Sequence, residues 1–269
     1  MDLPFNLRDW SLVAPSFGSW GRTFTMAATN QFFSLSLTRP GAKRDVVDHK
    51  ENEDRGLVRE VSKEETFSES PTMLVAVADG VSRCADGGAV AEWLLTQIDR
   101  DVIFEENHQK TLINQFHDYA ESLRAKFMVE FKDRPEIQES GCTFAAALVS
   151  GDTGAAYWAG DSPVYLITPN GERLKARTLT IADKDPYSGA LTDCFSGVTP
   201  FRVKQAGFKV EPGHIVVAVS DGVAYDGEDL AATIHSNGFT QEWMESICQQ
   251  SFDMPFSDDI SLAGVRIED

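Results

Sequence analysis

The sequence predicts an α+β protein, a central antiparallel β-sandwich flanked by helices. Three observations predict it. Strand-like runs rich in β-branched and aromatic residues, bounded by Gly, Pro and Asp, outnumber helical ones. Two runs, LVAVA before Asp79 and IVVAVS before Asp221, are apolar almost throughout, as central strands covered on both faces should be. Helical signals arrive in pairs between groups of strands instead of alternating with each strand, which argues against a βαβ repeat.

In chain order, strands are expected at about residues 31–37, 72–78, 143–150, 154–159, 163–168, 205–211, 214–220 and 259–267. Apolar residues at three- and four-residue spacing predict helices over 87–105 and 109–131, the second ending near Pro135. Shorter helices are expected near 227–236 and 240–251. The charged segment 39–70 reads in part as an exposed loop. A second irregular stretch, roughly 171–200, holds Asp183, Asp185, Pro186 and Gly189 and reads as a flap over a site. No break in composition marks a second domain. The chain is therefore read as one unit, 1–269, with 1–43 as an N-terminal extension.

With 42% hydrophobic and 25% charged residues, the composition is that of a soluble globular protein able to build a sizeable core. Forty-two acids against 24 bases give a formal charge of -18, which would repel a phosphate backbone and argues against nucleic acid as a partner. The sequence holds no apolar stretch of about 18 residues, and MDLPFNLRDW lacks the basic start and apolar middle of a secretory signal. A cytoplasmic protein with no membrane partner is expected. Cys84, Cys142, Cys194 and Cys248 form no CxxC pair and read as reduced, packed thiols.

The chemistry is carried by a near-repeat, VAVADGV at 75–81 and VAVSDGV at 217–223. Each places an Asp-Gly step at the mouth of an apolar strand, where the acid leaves the core and glycine lets the backbone turn. A single such step is usually a β-turn in which Asp bonds its own backbone. Asp161 in YWAGDSPVYLI, and Asp258 with Asp259 in PFSDDISLAGVRI, repeat the theme at other strand ends. Acids from four strand termini meeting at one end of a sandwich would repel one another unless cations lay between them. Oxygen-only ligation without His or Cys selects Mg²⁺ or Mn²⁺. Two such ions can activate a water against phosphorus.

The order of motifs also resembles a known family. ENEDR at 51–55, VAVADGV, SGCTFAAALV at 140–149, WAGDSPVYLI at 158–167, IVVAVSDGV at 215–223 and SDDISLAGV at 257–265 are similar to the metal-dependent, type 2C protein serine/threonine phosphatases. The resemblance runs from about residue 44 to the C-terminus and is closest to compact bacterial-type members. It implies a β-sandwich flanked by helices and hydrolysis of phosphoserine or phosphothreonine in signalling, with a phosphoprotein substrate and a cognate kinase as partners. It implies that Asp79 bridges two Mn²⁺ or Mg²⁺ ions, that the Gly80 carbonyl binds the second, and that Asp221 and Asp258 bind the first. Glu53, with Asp54 beside it, would hold the second ion through water, and Asp161 would serve a third. ALTDCFSGV at 190–198 supports the flap.

The chain departs from the family pattern in places. Val81 stands where many members carry a His acid, and Pro163 replaces the Arg of Gly-Asp-Ser-Arg. The position of the phosphate-gripping Arg, four before the Glu, is His49, so phosphate capture falls to His49, Lys50 and Arg44. Asn30-Gln31-Phe32 offers a second register for the first acid, though Glu53 lies at the family-like interval, 26 residues before Asp79. A pseudophosphatase that only binds, and a hydrolase of small phosphate esters, are the other functions this pattern admits.

Overall fold

The protein is described by a computed structural model covering residues 23–28, 32–41, 52–66, 70–81, 84–101, 110–199, 201–255 and 257–268. In chain order the elements are β1 (Thr23–Ala28), β2 (Phe32–Arg39), β3 (Asp54–Val61), α1 (Lys63–Thr66), β4 (Thr72–Asp79), α2 (Gly87–Asp101), α3 (Leu112–Glu130) and α4 (Pro135–Gln138). There follow β5 (Gly141–Cys142), β6 (Phe144–Ser150), β7 (Thr153–Ala159), β8 (Val164–Asn170), β9 (Arg173–Thr178), β10 (Phe195–Ser196) and β11 (Lys204–Lys209). The last are β12 (Ile215–Val219), α5 (Gly227–Asn237), α6 (Gln241–Phe252) and β13 (Ile260–Ile267).

Two antiparallel sheets face each other. One runs β1-β2-β13-β12-β8-β9 and the other β11-β7-β6-β4-β3, with β10 and β5 paired separately. Residues 23–28 and 32–39, within the expected extension, are thus two strands of the larger sheet. The alternation of side chains along each strand explains the layering. In β4, Met73, Val75 and Val77 point to the inter-sheet core, where Val216 and Ala218 of β12 meet them. Leu74, Ala76 and Ala78 point the other way, onto α2 and α3, with Leu94, Phe116 and Phe127. Ile215, Val217 and Val219 of β12 likewise face α5 and α6, with Leu230, Trp243 and Met244. Because both sheets are covered on both faces, β4 and β12 read as continuous apolar runs.

The helices start where capping chemistry allows. The Asp226 carboxylate accepts from the Asp229 N–H at 2.9 Å and the Thr240 hydroxyl from the Trp243 N–H at 3.1 Å, closing the first turns of α5 and α6. Thr111 does the same for α3.

Two expectations need correction. Within 39–70, taken in part as an exposed loop, residues 54–61 form β3, paired in full register with β4. Within 171–200, taken as irregular, residues 173–178 form β9 on the edge beyond β8. The four main helices lie where periodicity placed them.

Candidate active site

The near-repeat is split between the two sheets. VAVAD forms most of β4 in the smaller sheet, and VAVS leads out of β12 in the larger one, so their aspartates leave the sandwich at the same end. Asp79, Gly80, Asp161, Asp221 and Asp258 line one open cleft of about 470 Å³, roofed by Ser188 to Leu191 of the 171–200 segment. The acids read from the sequence at four strand ends are therefore brought together. Glu53 and Asp54 reach the same place from the other side of β4. The cross-strand register sets Asp54 directly opposite Asp79, and the Gly80 N–H donates to the Glu53 carbonyl at 3.2 Å. Arg44, His49 and Lys50, assigned to phosphate capture, lie outside the described residues, as do Asn30 and Gln31 of the alternative register.

The two glycines after the aspartates serve close packing and not a left-handed turn; neither has positive φ. A Cβ on Gly80 would stand 2.6 Å from the Gly87 carbonyl carbon and 2.9 Å from Cβ of Glu53. On Gly222 it would stand 1.8 Å from the Asp259 carbonyl oxygen. Any side chain there would push apart the segments that carry the acids.

The electrostatics are those of crowded carboxyls. Like charges set directly opposite on paired strands repel. Asp54 is fully buried, and burial, with the Asp259 and Asp221 charges adding to it, pushes its carboxyl up to about 8. Burial also drives Asp79 well above the ordinary carboxylate range, followed by the charges of Asp54 and Asp221. Asp221 is raised by burial and then by Asp161 and Asp258, with Lys184 opposing. Ser220 and Asp79 lie near enough to Asp54 to ease its ionisation, yet neither Asp54 oxygen has a hydrogen-bond partner by geometry.

Two buried, donor-free carboxylate oxygens among raised acids form a donor set that fits hard divalent cations. Among the described residues no three carboxylates, imidazoles or thiols already stand at the spacing of a finished cage, so cations would draw these acids inward.

Four residues that sequence reasoning passed over, Thr143, Ser162, Ser220 and Lys184, also belong to this site, and Asp259, read only as a strand-end acid, gains a role. The Asp79 N–H donates to the Thr143 hydroxyl at 3.1 Å, the Thr143 N–H donates to the Asp79 carbonyl at 2.7 Å, and the Thr143 and Ser162 hydroxyls bond at 2.7 Å. Thr143 thus pins the end of β4 and ties it to the Gly-Asp-Ser turn. Asp259 accepts from the Gly41 N–H at 2.7 Å and the Glu53 N–H at 2.6 Å, drawing the residues just after β2 and just before β3 onto the start of β13. Ser220 accepts from the Ser261 N–H at 2.8 Å beside Asp221. Thr143, Ser162, Ser220 and Asp259 sit inside quoted motifs, so the motifs were the available signal. Lys184, whose ammonium pairs with Asp161, had none beyond lying in the flap; its hydrogen bond to Asp161 raises its own pKa.

The fold is shared with solved phosphatases. The catalytic domain of serine/threonine phosphatase PstP in complex with two manganese ions matches at TM-score 0.68 and 15% identity, over 89% of this chain and 99% of that one. Stp1 from Staphylococcus aureus matches at 0.71 and 15%, over 88% and 95%. PppA, described as a key regulatory component of T6SS in Pseudomonas aeruginosa, matches at 0.67 and 20%, over 90% and 100%. No curated protein sequence matches the chain. Sequence likeness enters through the family itself: the pattern described as Protein phosphatase 2C matches residues 50–257. That span covers most of the chain and every aspartate of the cleft but Asp258, and the chain belongs to the protein phosphatase 2C family, the metal-dependent serine/threonine phosphoprotein phosphatases.

Proposed function

We propose that the protein hydrolyses phosphoserine and phosphothreonine in the cleft between the two sheets, with Asp79, Asp221 and Asp258 as the principal cation ligands. The observation that carries this reading is the meeting of Asp79 from one sheet with Asp221 and Asp258 from the other, opposite a buried Asp54 whose oxygens lack donors. Glu53, Asp54 and the Gly80 carbonyl complete the site, and Asp161 stands within charge range of Asp221. Two Mn²⁺ or Mg²⁺ ions held there would supply the Lewis acidity that makes water a nucleophile and neutralises charge on phosphorus.

The chain's own residues do the rest. Thr143 and Ser162 fix the Asp79 end of β4, Gly80 and Gly222 let the acid-bearing segments close on one another, and Asp259 holds Glu53 in reach. Val81, at the cleft wall, offers no proton, so the leaving serine or threonine oxygen takes its proton from solvent, which the open cleft admits. Phosphate capture remains with Arg44, His49 and Lys50. The whole chain acts as one unit, because the acids come from both sheets. Its site of action is placed, within this proposal, in the cytoplasm; among the described residues no helix is long and apolar enough to cross a membrane.

The test is Mn²⁺-dependent turnover of a phosphothreonine peptide alongside calorimetric titration with Mn²⁺, for the parent and Asp79→Asn. Loss of turnover by roughly a hundredfold or more, with weaker Mn²⁺ binding, is expected for removing one ligand of an activating ion. Equal turnover in the two proteins would sink the assignment. Tight Mn²⁺ binding without turnover in the parent would favour the binding-only reading.

A further inference from the structure

Lys184 is the one cationic side chain among the described residues lining the cleft, within charge range of Asp161, Asp221 and Asp79. Its ammonium bonds Oδ2 of Asp161, whose side chain is only 6% exposed against 43% for the lysine. The pair is built and not incidental. Immediately beside it, the Asp183 N–H donates to the Gly160 carbonyl at 2.9 Å and the Gly160 N–H donates back to Asp183 Oδ2 at 3.0 Å. Asp183 also accepts from the Thr192 N–H at 2.8 Å through its carbonyl, and Lys184 bridges to Leu191. Lys204 then staples Asp183 and Asp193 at 2.9 and 3.0 Å. The flap root is thus held, residue against residue, on the Gly-Asp turn, which sets the Lys184 backbone beside Asp161.

We propose that Lys184 is a tethered cation that takes the charge position of an additional metal at Asp161, so that this chain loads two ions and not three. The inference rests on the proposed metal site. Asp161 adds negative charge to a cluster already short of positive charge, and an ammonium on its Oδ2 neutralises that charge whatever the free metal concentration. A divalent ion reaching Asp161 must first displace a group of the same sign whose backbone is anchored by its neighbours. Competition from a covalently attached ligand acts at high effective concentration, so the third ion is excluded in practice. A second consequence is mechanical: the same ion pair ties the flap to the turn that bears Asp161.

The deciding measurement is Mn²⁺ stoichiometry by calorimetric titration and by metal analysis after gel filtration. Two ions are expected for the parent and for Lys184→Arg, which keeps the charge. Lys184→Met, which keeps the stem and removes the charge, should gain a third, weaker ion, and Lys184→Met combined with Asp161→Asn should return to two. Three ions in the parent, or two in Lys184→Met folded to the same thermal midpoint as the parent, overturns the proposal. The parent and Lys184→Arg decide the question even if Lys184→Met fails to fold, since three ions in the parent alone refutes it. If the parent binds no Mn²⁺, or if Asp79→Asn binds it as the parent does, the metal site itself falls, which is a different result.

Discussion

Removing metal should make the protein less stable as pH rises, and Asp54 sets the size of the effect. Its carboxyl titrates at about 8 in the folded protein against 3.8 unperturbed, because it is wholly buried. Between those values the native state keeps a proton that the unfolded chain has released. The native state therefore binds more protons, and stability falls with pH: the contribution is complete below about pH 4 and is lost as pH climbs through about 8. One proton gives a slope of at most about 1.4 kcal/mol per pH unit. Asp79 is raised in the same cluster and acts in the same direction, so the one proton of Asp54 is the least that counts over this window. From about pH 5 to pH 8 the loss is then on the order of 4 kcal/mol, a large share of the roughly 5–15 kcal/mol typical of a domain. Urea unfolding of chelator-stripped protein, followed by tryptophan fluorescence across that range, measures it. The midpoint should drop steadily, Asp54→Asn should flatten the slope and exceed the parent at the alkaline end, and saturating Mn²⁺ should restore the parent by binding the native state alone. A metal-free stability that is flat or rises between those limits, or an Asp54→Asn variant as steep as the parent, would refute the reasoning.

Two further expectations can be checked in the same preparations. Thr143→Val leaves the Asp79 N–H without its acceptor and Ser162 without its partner in a buried setting, so it should lose about 1–3 kcal/mol in urea unfolding and weaken Mn²⁺ binding; a loss below about 0.5 kcal/mol would mean that the hydroxyl holds nothing. Burial pushes Cys194 up to about 11 and also raises Cys84 and Cys142, so little thiolate exists near neutrality. Iodoacetamide labelling of the native protein, read by mass spectrometry, should be many times slower than in urea, and equal rates would contradict these environments.

What the sequence disclosed follows from burial. β4 and β12 are covered on both faces, so selection for apolar side chains runs unbroken along them and their ends could be placed to within a residue or two. β3 and β9 are edge strands; RLKART of β9 carries charge at alternate positions, and DRGLVREV of β3 carries a charged pair near each end. Charge on an edge keeps it from pairing with another molecule, and the same charge makes it look like loop. The site divides in the same way. Asp79, Asp221 and Asp258 were legible because each stands at or beside one end of an apolar run. Thr143 and Asp259 act through backbone N–H groups of distant segments, so nothing local to them betrays the partner. Lys184 depends on the flap root folding onto Gly160, a contact between segments more than twenty positions apart that no local pattern encodes.

The division of the near-repeat between the two sheets has a consequence for the sandwich as a whole. Cations gripping Asp79 on one side and Asp221 and Asp258 on the other would act as a clasp across the seam between the sheets. The spacing of the acids is then gauged by the layer of Val75, Val77, Val216 and Ala218 between them, far from solvent and from any phosphate. Thinning that layer by a methylene or two should let the sheets settle and alter metal affinity without touching a ligand, while loaded ions should stiffen the same layer in return.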